Sequence, residues 1–137
     1  MALFILLKWR EKWGYFPFTA HHLSDGTLRF ICLAAVLLQP QPPTTIIIDE
    51  PELGLHPFAI NILGGLIRTL SKSNQIILST QSVNLLDQFQ TEDVIVTQRM
   101  NEVSLFNRLK AAEFEKWLEE YSLSELWEKN YLKGRPS

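Results

Sequence analysis

The run Thr44-Thr45-Ile46-Ile47-Ile48 is β-branched throughout and stops on two adjacent carboxylates, Asp49 and Glu50, followed by Pro51-Glu52. β-Branched side chains lose rotamer freedom in a helix and pack well on a pleated surface, so the run reads as a strand. Its lack of apolar–polar alternation predicts cover on both faces, as in a parallel sheet. Such a strand constrains the whole chain, because parallel neighbours need crossover connections and the faces need helices. Carboxylates at its C-terminal end sit where open α/β sheets bind ligands, and they are hard oxygen donors suited to Mg²⁺ held together with phosphates. An acidic turn after an apolar run also occurs as plain strand punctuation.

The rest of the chain supplies the other elements. Residues 2–9 read as a strand, followed by a turn at Gly14 and an extended Phe16-Pro17-Phe18. A helix is expected over 27–38, begun by the capping types Ser24 and Asp25 and stopped by Gln39-Pro40-Gln41-Pro42-Pro43. Residues 56–70 carry Ile60, Leu63, Ile67 and Leu70 at helical spacing, with Gly64-Gly65 as a weak spot or a close packing contact. A second buried strand follows at 75–78 and a short helix at 83–89. Strands at 93–97 and 103–108 turn at Asn101. An amphipathic helix at 111–121 has Phe114, Trp117, Leu118 and Tyr121 on one stripe, and Ser122 with Glu125 has capping-box spacing for a last helix to about 133, ended by Gly134 and Pro136. The aromatics Trp117, Tyr121 and Trp127 read as core, with a docking face as the alternative.

With 137 residues, the length suits one domain of α/β class with a mostly parallel sheet. A net charge of −2 gives no reason to expect broad adhesion to nucleic acid or anionic membrane. The single Cys32 reads as a small buried hydrophobe, which fits the cytoplasm. No apolar run approaches the roughly 20 residues that span a bilayer, and the apolar opening lacks the marks of a signal peptide, so a soluble protein with no membrane role is expected. His21 and His22 diverge as neighbours and gain no third ligand for a metal set.

Ahead of the strand, Leu23-Ser24-Asp25-Gly26-Thr27 leads directly into the apolar helical segment. After it come Leu53-Gly54-Leu55-His56-Pro57 and Leu78-Ser79-Thr80-Gln81-Ser82. In this order the four segments resemble the signature, Walker B, D-loop and switch elements of the C-terminal half of an ABC-type ATPase head, in the soluble branch with SMC, RecF and OLD-like predicted ATPases. The resemblance implies a P-loop NTPase fold whose phosphate-loop strand is absent, with ATP and Mg²⁺ as cofactors. It implies that Asp49 helps to hold the metal and that Glu50 orients or deprotonates the attacking water. Ser24, Gly26 and Thr27 would meet the γ-phosphate bound to an opposite subunit, and His56 would lie where the family communicates between subunits, or simply pack at a helix start. Asp25 stands where many relatives have Gly and is expected to cap the helix. Arg29 reads as a solvated helix residue, with added positive charge on the phosphate face as the other reading. Gln81 replaces the His usual in this loop; its amide offers a donor and an acceptor for γ-phosphate sensing but does not titrate near neutrality.

None of the six glycines is followed by Lys, so the chain contains no G-x-x-x-x-G-K-[ST] loop. Residues 1–137 therefore read as a partial head that lacks its Walker A half, inactive alone, and completed by that half or by a second head in a dimer. One function class is an ATPase segment in DNA maintenance or in defence against foreign DNA, with DNA reached through a wider complex. The other is a non-catalytic interaction module that keeps the fold. A missing phosphate-loop strand would bare the strand edges flanking its place, so residues 2–7 are expected to fill the gap or the chain to self-associate.

Overall fold

The computed structural model describes residues 6–132. The strands are β1 (Lys8–Trp9), β2 (Phe18–Thr19), β3 (Thr45–Asp49), β4 (Gln75–Ser79), β5 (Ile95–Met100) and β6 (Val103–Arg108). The helices are α1 (Asp25–Leu38), α2 (Pro57–Leu70), α3 (Val83–Leu86), α4 (Ala111–Leu118) and α5 (Leu123–Glu128). Of the expected N-terminal strand, residues 1–5 lie outside the described residues, as do Gly134 and Pro136. Lys8 and Trp9 pair with Thr19 and Phe18 in a short antiparallel ladder, and Trp9 stacks on Phe18 at 5.2 Å. Residues 2–5, most of the segment expected to fill the gap between the strand ending at Ser79 and that at 94–96, lie outside the described residues; Leu6 and Leu7 join no strand, and among the described residues β4 pairs with β3 and β5 with β6.

β3, α2 and β4 form one parallel crossover unit, the expected parallel sheet, while β1–β2 and β5–β6 are antiparallel. The β3–β4 register runs from Thr45 opposite Gln75 to Asp49 opposite Ser79. Both ends are pinned: the Gln75 N–H donates to the Thr44 carbonyl at 2.9 Å, the Asn74 amide to Pro43 at 2.7 Å, and the Glu50 N–H to the Ser79 carbonyl at 2.9 Å. β5 and β6 turn through Asn101 and Glu102, both left-handed (φ 48° and 65°), as a tight hairpin requires.

Two apolar clusters hold the chain. In the first, Leu37 of α1, Leu63 and Ile67 of α2, and Ile46 of β3 are buried together, with Ile48, Ile76 and Leu78 against them. In the second, Val96 and Leu109 meet Leu123, Leu126 and Leu132, with Phe114, Tyr121 and Trp127 packed alongside. α3 lies between α2 and α5, and its Leu85 is fully buried. Gly64 packs directly on the Gln88 side chain, so of the two readings for the Gly64-Gly65 pair the close contact applies there, while Gly65 faces open space.

The cover of β3 differs from expectation. Ile46 is 6% exposed, yet Ile47 is 74% exposed, and Ile77 beside it on β4 is 47% exposed. Both α1 and α2 pack on the face that carries Ile46, Ile48, Ile76 and Leu78, so the opposite face has no layer over it among the described residues. Unbroken β-branched sequence reports that both faces suit burial, not that both are covered. Cys32 is also exposed rather than buried, because Phe30, Leu33 and Leu37 turn the other side of α1 to the core. Trp117 is 42% exposed, and its ring packs tilted against that of Tyr131 with centroids 4.6 Å apart.

Ile46→Ala should cost about 2–4 kcal/mol in urea unfolding, as for other buried aliphatics. Ile47→Thr should stay within about 0.5 kcal/mol. Equal losses would show that the Ile47 face is covered in solution.

Candidate functional site

β3 delivers Asp49 and Glu50 to its C-terminal end, and the parallel register sets the end of β4 beside them. Three consecutive residues of β4 and its following loop each address a different carboxylate. The Ser79 hydroxyl donates to Asp49 Oδ1, the Thr80 hydroxyl to Glu52 Oε1, and the Gln81 side-chain amide to Glu50 Oε1 at 3.5 Å. Side chains alternate along a strand, so residues of one strand end fan out in different directions and reach separate partners. Asp49, Glu50 and Gln81 are thus brought together, as the motifs implied.

Glu50 takes a left-handed backbone (φ 44°), uncommon for a residue with a Cβ. Its carbonyl accepts from the Leu53 N–H at 3.2 Å and from the Arg29 guanidinium at 2.7 Å, and Arg29 also reaches the Asp49 carbonyl at 3.4 Å. Arg29 is therefore half-buried and bonded to backbone rather than free in solvent; α1 uses it to fasten the acidic turn. The neighbouring Glu52 carboxyl and then burial raise the Glu50 carboxyl above its ordinary range, with the Asp49 charge adding to the rise and the Gln81 backbone opposing it. Two ionised carboxylates are both acceptors, so a bond between them exists only when one holds a proton. Glu52 itself is buried, and its Oε2 has no partner among the described residues.

The remaining expected residues gather at a second place. Ser24, Gly26 and Thr27 line a cleft of about 230 Å³ with Gly54, Leu55 and His56, where the N-termini of α1 and α2 converge. Ser24 is the N-cap of α1, accepting from the Thr27 N–H at 3.2 Å, and its hydroxyl bonds that of Thr27 at 2.8 Å. Asp25 is not the cap but the first helical residue, where its charge favours the helix dipole. His56 caps α2 by accepting from the Phe58 N–H at 3.2 Å. A Cβ on Gly26 would overlap the Gly54 carbonyl, and Gly54 is left-handed (φ 76°), so the close approach at Gly26 is made to the Leu53-Gly54-Leu55 turn of the chain itself.

The donor chemistry fits the implied metal. Asp49 and Ser79 offer exposed hard oxygen atoms, too few for a cage but appropriate to Mg²⁺, which keeps waters and shares phosphate oxygens. No group of three or more His, Cys, Asp or Glu residues is arranged for a metal among the described residues.

A parallel crossover with paired acids at its strand ends, beside two converging helix N-termini, defines a P-loop NTPase fold. Solved structures agree: the chain superimposes on an SMC ATPase, from work on ATP-driven dimerization and DNA-stimulated activation, with TM-score 0.61 and 22% identity over 78% of this chain and 66% of that one. It also matches an SMC head bound to the C-winged helix domain of ScpA, with TM-score 0.64 and 21% identity over 75% of this chain and 32% of the other. Residues 7–87 match the family described as AAA domain, putative AbiEii toxin, Type IV TA system, and the chain belongs to that family. It is 54% identical over 44 residues to the Old nuclease of Escherichia phage P2, covering 31% of this chain and 8% of that protein. It is 33% identical over 75 residues to the phosphate import ATP-binding protein PstB of Ehrlichia ruminantium (strain Gardel), covering 55% of this chain and 29% of PstB. The chain is thus an AAA-family domain with a P-loop NTPase fold, similar over part of its length to the Old nuclease and to an ABC-type ATP-binding protein. It spans under a third of the length of PstB. No described helix is long and apolar enough to cross a membrane.

The motifs did not assign roles to Glu52, Ser79 or Thr80, and neither reading of Arg29 was its contact with the acidic turn. The pairing of Asp49 with Ser79 follows once the two strands are aligned in parallel at their polar ends, so that signal was available. The fold of α1 back onto Glu50 had none.

Gly26→Ala should destabilise the chain by about 1–3 kcal/mol in thermal unfolding, because the obstacle is backbone. A second expectation follows from the raised Glu50 carboxyl. A folded-state pKa above the unfolded value contributes stability that is present below the unfolded pKa and lost as pH rises through the folded one. Glu50→Gln should therefore raise the melting temperature at pH 7, and the gain should vanish on acidification below about pH 4.

Proposed function

We propose that this chain supplies the Walker B, switch, signature and D-loop surfaces of an ATP-hydrolysing head that acts on or with DNA. The observation that carries the reading is the register of β4 against β3, which sets Ser79 on Asp49 and Gln81 on Glu50. Asp49, with the Ser79 hydroxyl beside it, would hold Mg²⁺, which when bound neutralises phosphate charge. Glu50 takes the task of orienting a water and accepting its proton at the carboxylate, and the neutral Gln81 amide donates a hydrogen bond on the same side without exchanging protons itself. Ser24, Gly26, Thr27 and His56 form the surface offered to the phosphates of a nucleotide carried by a second head, where two helix N-termini favour negative charge.

The uncovered Ile47 and Ile77 face supports completion by a further layer, supplied by a Walker A half. A role in DNA maintenance or defence against foreign DNA follows the Old nuclease and SMC likenesses.

In the completed head, Glu50→Gln should lower ATP turnover by about 10²–10⁴-fold with nucleotide binding retained, whereas Asp49→Ala should weaken Mg-dependent binding. Wild-type turnover by Glu50→Gln would overturn the assignment of the base. The purified chain should neither hydrolyse ATP nor bind Mg-ATP appreciably in isothermal titration, since positioning by a phosphate cradle is what this reaction depends on. Micromolar affinity would contradict the half-site reading.

A further inference from the structure

Glu52 belongs to none of the roles above, yet it is the most deeply buried charged residue described, with 8% exposure. Its side chain accepts from the Thr80 hydroxyl, and Oε2 is left without a partner among the described residues. Burying a carboxylate with so few donors works against stability, and an apolar residue of similar volume would ordinarily hold the fold as well. A charged acceptor nevertheless makes a stronger hydrogen bond than a neutral one, which suits a group that must fix its donor in place.

What it fixes is the loop that carries Gln81. The Thr80 oxygen that donates to Glu52 also accepts from the Ser82 N–H at 2.9 Å, and the Ser82 hydroxyl caps α3 by accepting from the Leu85 N–H at 3.3 Å. Leu85 is fully buried, so the chain Glu52–Thr80–Ser82 anchors the loop to the core at its far end. Gln81 lies between the two anchored residues, is exposed, and touches Glu50 through a bond at the outer limit of hydrogen-bond distance. That bond is too long to place the side chain by itself.

We propose that Glu52 and Thr80 form a latch that positions Gln81 against Glu50, making Glu52 a positioning residue for the water-handling end of the site. The significance for catalysis rests on the reading of Glu50 and Gln81 given above, but the latch is testable without nucleotide. Because the Glu52 carbonyl also accepts from the Leu55 N–H at 2.9 Å, the same residue ties this loop to the turn that Gly26 packs against.

The test follows the Gln81 side-chain amide by ¹⁵N NMR in the full chain, assigned by its loss in Gln81→Leu, together with hydrogen exchange at the Ser82 amide. Thr80→Val removes the hydroxyl at nearly constant shape and should shift the Gln81 side-chain resonances, while Thr80→Ser should restore them to their native positions. Glu52→Leu should produce the same shift and raise Ser82 exchange about tenfold, although it touches neither reporter directly. The double variant Glu52→Leu/Thr80→Val should move Gln81 no further than Thr80→Val alone. Unmoved Gln81 resonances in Thr80→Val or in Glu52→Leu, or a shift in Thr80→Ser as large as in Thr80→Val, would overturn the latch; because Thr80→Val also removes the acceptor of the Ser82 N–H, the Glu52 variant decides the role of Glu52, and Glu52→Gln, which keeps the side-chain shape and should shift Gln81 in the same direction, serves if Glu52→Leu does not fold. Failure of the functional reading shows separately, as wild-type turnover by Glu50→Gln.

Discussion

The parallel pairing of β3 with β4 is the constraint on which the site depends. Its register, pinned by backbone bonds beyond both strand ends, sets Asp49 opposite Ser79 and so puts the donors of one strand end against the acids of the other. A slip by one residue would turn Ile46 and Ile48 to the open face and would separate every donor from its carboxylate. The apolar cluster under the pair and the polar cluster at its tip are therefore two expressions of one alignment.

α1 works on that tip from below. Its first turn packs Gly26 on the Gly54 carbonyl, and its Arg29 holds the carbonyls of Asp49 and Glu50. Hydrogen bonds from a guanidinium contribute more than neutral ones, and here they fall on a residue with a left-handed backbone that sequence preference alone would not select. The start of α1 and the acidic turn are consequently tied into one corner. A ligand that displaced the Gly54 turn would disturb Glu50 through two contacts, one through Gly26 and the helix that bears Arg29, the other through the turn itself, where the Leu53 N–H meets the Glu50 carbonyl.

Among the described residues the cover of β3 and β4 is one-sided. Parallel sheets are ordinarily buried on both faces, yet Ile47 and Ile77 face outward with only small polar or charged neighbours, Thr45, Asp49, Gln75 and Ser79, on the same side. The second cluster gathers Val96 of β5, Leu109 and the helices α4 and α5 around Leu126, while β6 stays exposed along its length.

Much of this was legible in the residue order. Local chemistry marks the strand that ends at Asp49, the cap at Ser24, the helix over Ile60, Leu63 and Ile67, the turn at Asn101 and the capping box at Ser122, because each is set by side chains within a few positions of one another. The grouping of Asp49 with Glu50 and Gln81, and of Ser24 with Gly26, Thr27 and His56, was accessible through the order of the four motifs. Other features depend on residues about twenty or more positions apart: Arg29 on the Glu50 carbonyl, Thr80 on Glu52, Gly26 on Gly54, the exposure of Ile47 and the outward turn of Cys32. A sequence specifies which faces are apolar and which groups can donate; the direction in which α1 and α2 cross the sheet decides which face is covered and which donors find a carboxylate, and only the tertiary fold fixes that direction.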